Sequence, residues 1–165
     1  MPASPADLFA YLDKLAIAHS PEEHAAIFTV EEGRHLKASM PGGHTKNLFM
    51  KDKDGTIVLI SAWADSQLKL NQLHKLIGTR RLSFANADLM VDCLGVEPGS
   101  VTAFALMNDK DQRVRFIADA ALMGFDTVNF HPLVNTATTA ISREDFRRVV
   151  EATGHALMEV DFSGL

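Results

Sequence analysis

Apolar residues recur at helical spacing near both ends of the chain and twice in its middle. Leu8, Tyr11, Leu12 and Leu15 fall at i, i+3, i+4 and i+7 behind Ser4-Pro5-Ala6-Asp7. There serine is a natural N-cap, proline suits the first turn, and an acid follows three residues on. Leu70, Leu73, Leu76 and Ile77 repeat the spacing and stop at Gly78, and Asn86 opens a run through Leu89, Met90, Cys93 and Leu94 to Gly95. Ser142-Arg143-Glu144-Asp145 opens the last helix, with Phe146, Val149 and Val150 inward and Gly154 after it.

Between these stretches the pattern turns strand-like. Asn47 to Asp52 and Thr56 to Trp63 predict a hairpin, with Asp54-Gly55 as a type I′ turn. Further strands are expected at Ala25 to Val30, Val101 to Met107, Val114 to Ile117, Thr127 to Phe130, Thr136 to Ile141 and Leu157 to Phe162. Ser20 to His24 reads as an interruption, Glu31 to Lys37 as a brief helix or turn, and Asn108 to Gln112 as a polar turn; a short helix ends at Gly124. Pro41-Gly42-Gly43 reads as a flexible entry that places Lys46 and Asn47 where a loop meets the sheet. No regular βαβ alternation emerges, so the pattern predicts an α+β domain with a mixed, curved sheet, single over residues 1–165.

Composition narrows the picture modestly. A hydrophobic content of 47% with 22% charged residues is ordinary for a globular chain. One cysteine, Cys93, excludes an intrachain disulfide framework and a multi-cysteine metal site, and its place on an apolar stripe marks it as core. No basic leader precedes an apolar run, and no run approaches the ~20 residues of a membrane span, so a cytoplasmic location is expected. The formal charge of −5 argues against an extended grip on DNA, though a site touching a few phosphates stays open. Arg80-Arg81, with Lys69 and Lys75 upstream, is the densest basic region and reads first as a solvated face.

The chemistry is bounded first by what is missing. No Cys-x-x-Cys, His-Glu-x-x-His, nucleophile elbow, P-loop or dinucleotide fingerprint occurs, so neither a metal nor a cofactor is expected. Three constellations remain. Lys46 could pair with a phosphate or stabilise an oxyanion, and Asn47 could orient a ligand, although the same residues suit a surface and a turn. The glycines and proline of 94–102 make a tight loop whose backbone could line a pocket, or simply connect helix to strand. His131, fixed by Pro132 at a strand end, suits a pocket wall or a buried structural role.

Taken together and in order, these segments resemble the free-standing aminoacyl-tRNA deacylases of the YbaK/ProX group, relatives of the editing insertion in bacterial prolyl-tRNA synthetase. The matching residues are His24 to Glu32, Gly43 to Asp52, Arg81 to Ala85, Leu94 to Thr102 with Asn108-Asp109, and Phe130 to Thr139. The chain departs from the group at Ala25-Ala26, where prolines are common, and at Ala103, where Val-Thr-Pro-Phe is usual.

The resemblance implies a barrel-like, strongly curved mixed sheet surrounded by helices, and hydrolysis of the ester joining a wrong amino acid to the end of tRNA. The Lys46-Asn47-Leu48-Phe49 version is similar to the branch that clears alanine from proline tRNA; a deacylase for Ser- or Cys-tRNA, or a non-catalytic nucleic-acid-binding module, is the alternative. The implied catalytic residues are Lys46 and Asn47. Substrate contacts would come from His131, from backbone groups of Gly99 and Ser100, and from Ile27, Phe28 and Val30 around a small apolar pocket. The implied partners are the acceptor end of mischarged tRNA and prolyl-tRNA synthetase, with no membrane and no DNA.

Overall fold

Helix α1 (Pro5–Lys14) starts on a full capping box: Ser4 Oγ accepts from the Asp7 amide at 3.2 Å, and Asp7 accepts from the Ser4 amide at 2.9 Å. Such a cap is worth about 1 kcal/mol. It buries Leu8 and Leu12, as the spacing predicts. The computed structural model describes residues 2–24 and 39–164; the strand and turn expected within 25–38 lie outside them.

Among the described residues eight strands follow one another: β1 (Ser20–Glu23), β2 (Gly43–Lys51), β3 (Ile57–Trp63), β4 (Ser83–Phe84), β5 (Val114–Asp119), β6 (Thr127–Phe130), β7 (Ala137–Ser142) and β8 (Leu157–Val160). They form one mixed sheet in the order β1-β7-β6-β2-β3-β5-β8, with β4 also paired to β2. The β2/β6, β3/β5 and β5/β8 pairs are parallel and the others antiparallel. The mixed sheet expected from the sequence is therefore present.

Among the described residues helices α2 (Leu73–Ile77), α3 (Ala87–Leu94) and α4 (Arg143–Ala152) join α1 around the sheet. Asn86 caps α3 by accepting from the Leu89 amide at 2.9 Å, and Ser142 caps α4 by accepting from Asp145 at 3.1 Å. α2 is shorter than its apolar spacing predicts: Leu70 lies outside it, and Leu70 and Leu76 are both exposed.

The sheet separates two cores. On one face Phe49, Leu59, Phe116, Phe130 and Ile141 pack against α1, α3 and α4. On the other, Met50, Val58, Ile60 and Ile117 meet Leu73 and Ile77 of α2, together with Leu82 and Phe162. Side chains alternate along a strand, so neighbouring residues of β2 serve different cores. No helix of the described residues is long and apolar enough to cross a membrane.

Four local expectations change. Ser20 to Glu23 is an edge strand, hidden in sequence by Pro21 and four exposed side chains. Residues 103–108 form a 3₁₀ helix rather than a strand: Ala103 to Leu106 are all buried, and a continuous apolar run carries no period. Thr102 Oγ1 caps this helix by accepting from Phe104. The hairpin turn is a three-residue loop with Gly55 at φ 89° and no left-handed Asp54, closed by the Asp52 amide on the Thr56 carbonyl at 3.0 Å. Finally, β2 begins at Gly43, so Lys46 and Asn47 lie inside a strand rather than at its mouth.

Candidate active site at the open edge of β2

One edge of β2 pairs with β3 along seven residues. Its other edge is shared. Gly43 and His44 pair with β6, while Met50 and Lys51 pair with β4. Between them, over residues 45–49, no strand among the described residues pairs with this edge of β2. The shared edge is built by close approach: a Cβ on Gly42 would lie 2.5 Å from the Thr127 carbonyl oxygen, and one on Gly43 2.7 Å from the Phe125 ring. Asn129 fastens this turn by donating to the Pro41 carbonyl at 3.2 Å, and Thr45 Oγ1 donates to the Asn129 carbonyl at 2.8 Å.

A cavity of about 260 Å³ opens at this gap, lined by Thr45, Lys46, Asn47, Gly99, Val101 and His131. Four residues singled out in the sequence, on three separate segments, thus come together. Ser100 does not line the cavity, and its amide donates to the Glu97 carbonyl at 3.0 Å. Ile27, Phe28 and Val30 lie outside the described residues. Thr45 and Val101 went unassigned in the sequence although both flank motif residues.

Lys46 and Asn47 reach the cavity from opposite faces of the strand, since Phe49 enters one core and Met50 the other. The Lys46 ammonium donates to the Ser66 carbonyl oxygen. Asn47 Oδ1 accepts from Ser61 Oγ, a hydroxyl with no solvent exposure, which leaves the Asn47 NH₂ free to turn outward.

His131 follows directly on Phe130, whose ring stacks on Phe146 with centroids 4.5 Å apart. Its Nδ1–H donates to the Ala137 carbonyl at 3.1 Å, so Nε2 carries the free lone pair. Burial lowers the His131 pKa below its ordinary value; the Ala137 carbonyl opposes this, and the charge of His24 adds to it. His24 Nε2 itself lies 2.8 Å from Thr138 Oγ1. Gly99, at φ 93°, holds its loop against Asn135, whose Nδ2 would lie 3.5 Å from an added Cβ.

The site therefore offers a cation, an amide donor and a neutral imidazole acceptor around a small cavity. Among the described residues no group of three or more His, Cys, Asp or Glu side chains is placed to hold a metal ion. Such a set can orient an ester and stabilise charge without a protein nucleophile.

Residues 24–149 match the aminoacyl-tRNA editing domain. The chain belongs to that family. It is 38% identical to a mouse protein named prolyl-tRNA synthetase associated domain-containing protein 1, over 95% of each chain. It is 32% identical to the prolyl-tRNA editing protein ProX of Acetoanaerobium sticklandii, over 93% of this chain and 94% of that one. A solved structure provisionally described as a trans-editing enzyme for prolyl tRNA synthetase superposes with a TM-score of 0.71 at 17% identity, over 96% and 98% of the two chains. The enzyme class is an aminoacyl-tRNA deacylase, a hydrolase that edits in trans and takes tRNA as substrate.

Proposed function

We propose that this editing enzyme hydrolyses Ala-tRNA(Pro), releasing alanine and free tRNA. The observation that carries the reading is the convergence of Lys46, Asn47, Gly99 and His131 on one small cavity. At about 260 Å³ it falls below the ~300–1,000 Å³ usual for drug-sized ligands, which suits a small aminoacyl group at the unpaired end of a tRNA.

Proline selection creates the need. A pocket shaped for proline cannot strongly reject the smaller alanine, because missing methylenes are worth only ~1–3 kcal/mol, so a second sieve is required. Prolyl-tRNA synthetase is then the source of the substrate and the natural partner.

In this reading the acceptor end brings the ester to the open edge of β2. Lys46 holds the ester or the terminal nucleotide and favours the developing oxyanion. The Asn47 NH₂ orients the carbonyl. His131 Nε2 accepts from the amino acid's ammonium or from the ribose hydroxyl. The Ser100 amide is already engaged, so Gly99 supplies the backbone grip. Water adds to the carbonyl carbon, the acyl C–O bond breaks, and the proton passes to the leaving ribose oxygen. An aminoacyl ester is reactive enough for positioning and charge stabilisation to suffice.

The test is deacylation of Ala-, Ser-, Cys- and Pro-tRNA by the purified protein. Ala-tRNA(Pro) should be cleared fastest and Pro-tRNA spared. Lys46→Ala should lower that rate by about 10²-fold or more, with the fold intact by circular dichroism. Preference for Ser- or Cys-tRNA would overturn the substrate, and wild-type turnover by Lys46→Ala would overturn the role of the lysine.

A further inference from the structure

Behind Lys46 stands a buried acid that the deacylation scheme does not use. Asp119 ends β5 and is 2% exposed. Its Oδ2 accepts from the Trp63 amide at 3.1 Å and from Ser66 Oγ at 2.6 Å, and its Oδ1 accepts from the Ala121 amide at 3.0 Å. Among the described residues it has no ion-pair partner within salt-bridge distance. A carboxylate out of water costs several kcal/mol unless such donors offset it, so a neutral residue would serve a purely local turn at lower cost.

The turn it fastens is the one that reaches Lys46. The Ser66 amide donates to the Trp63 carbonyl at 2.9 Å, closing residues 63–66, while Asp119 grips the turn at both ends. The Ser66 carbonyl is thereby aimed at the Lys46 ammonium. One of the three ammonium protons is used there, leaving two for substrate.

We propose that Asp119 and Ser66 are positioning residues for Lys46, holding its ammonium at the mouth of the cavity. The proposal rests on the deacylase reading for its kinetic consequence, but its structural half can be read without substrate. A misplacement of about 1 Å in a catalytic group can cost 10²-fold in rate.

Ser66→Ala and Asp119→Asn should each lower kcat on Ala-tRNA(Pro) by about 10- to 100-fold with KM little changed, and Ser66→Thr, which keeps the hydroxyl, should restore it. In parallel, an amine-selective acylating reagent with mass-spectrometric readout would compare Lys46 with the exposed Lys110. The Lys46:Lys110 ratio should rise several-fold in Ser66→Ala and Asp119→Asn and stay at the wild-type level in Ser66→Thr. An unchanged ratio in Ser66→Ala, or normal kcat in that variant, overturns the proposal; should Asp119→Asn fail to fold, the Ser66 pair decides. If wild-type protein leaves Ala-tRNA(Pro) intact, the substrate reading fails while the labelling ratio still tests this one.

Discussion

At the scale of single residues, the candidate site pairs groups that chemistry makes conspicuous with groups that it does not. Lys46, Asn47, Gly99 and His131 were readable because a lysine after Gly-Gly, a Pro-Gly loop and a His-Pro strand end recur in order along a family resemblance. Ser61, Ser66 and Asp119 carry no such spacing. An acid at the end of an apolar run looks like an ordinary strand terminus until the amides around it are seen. His131 yields a prediction of its own. Its folded pKa lies below the ordinary 6.5, so the neutral form is favoured by folding. The stabilisation is present above that ordinary value and is lost as pH falls through the lower, folded one. Between about pH 7.5 and 5.5, the melting temperature of wild type should therefore fall more than that of His131→Gln, measured side by side in one buffer series.

At the scale of elements, caps were read well and apolar runs less so. Ser4, Asn86 and Ser142 each cap a helix through a local hydrogen bond that depends on few neighbours. The fate of 101–107 was decided by burial on every side, which a local pattern cannot register. The glycines before β2 show the same limit. Sequence suggested flexibility, whereas Gly42 and Gly43 are needed for contact with Thr127 and Phe125. The Phe125 ring also packs on Trp63, with centroids 5.6 Å apart, and has little room to withdraw. Gly43→Ala should destabilise the protein by about 1–3 kcal/mol, read from the midpoint of urea unfolding, and should slow deacylation by shifting the start of β2.

For the whole molecule, the sheet order was not derivable from the sequence, because nothing local states that β2 would be flanked by β6 and β4 on one edge. What holds the arrangement is the larger core. Phe146 stacks on Phe130 and meets Phe116 edge-on at 5.9 Å, tying α4 to the strand that delivers His131. Phe146→Ala should cost about 3–5 kcal/mol in equilibrium unfolding, with a loss of activity in the surviving folded fraction. The open edge of β2 bears on solubility as well. Exposed strand edges are templates on which other chains add and aggregate. Among the described residues the stretch of β2 without a strand partner on this edge is 45–49, and β6 and β4 stand at its two ends. A strand adding there would have to end against β6 on one side and β4 on the other, which limits how far such pairing can extend along β2.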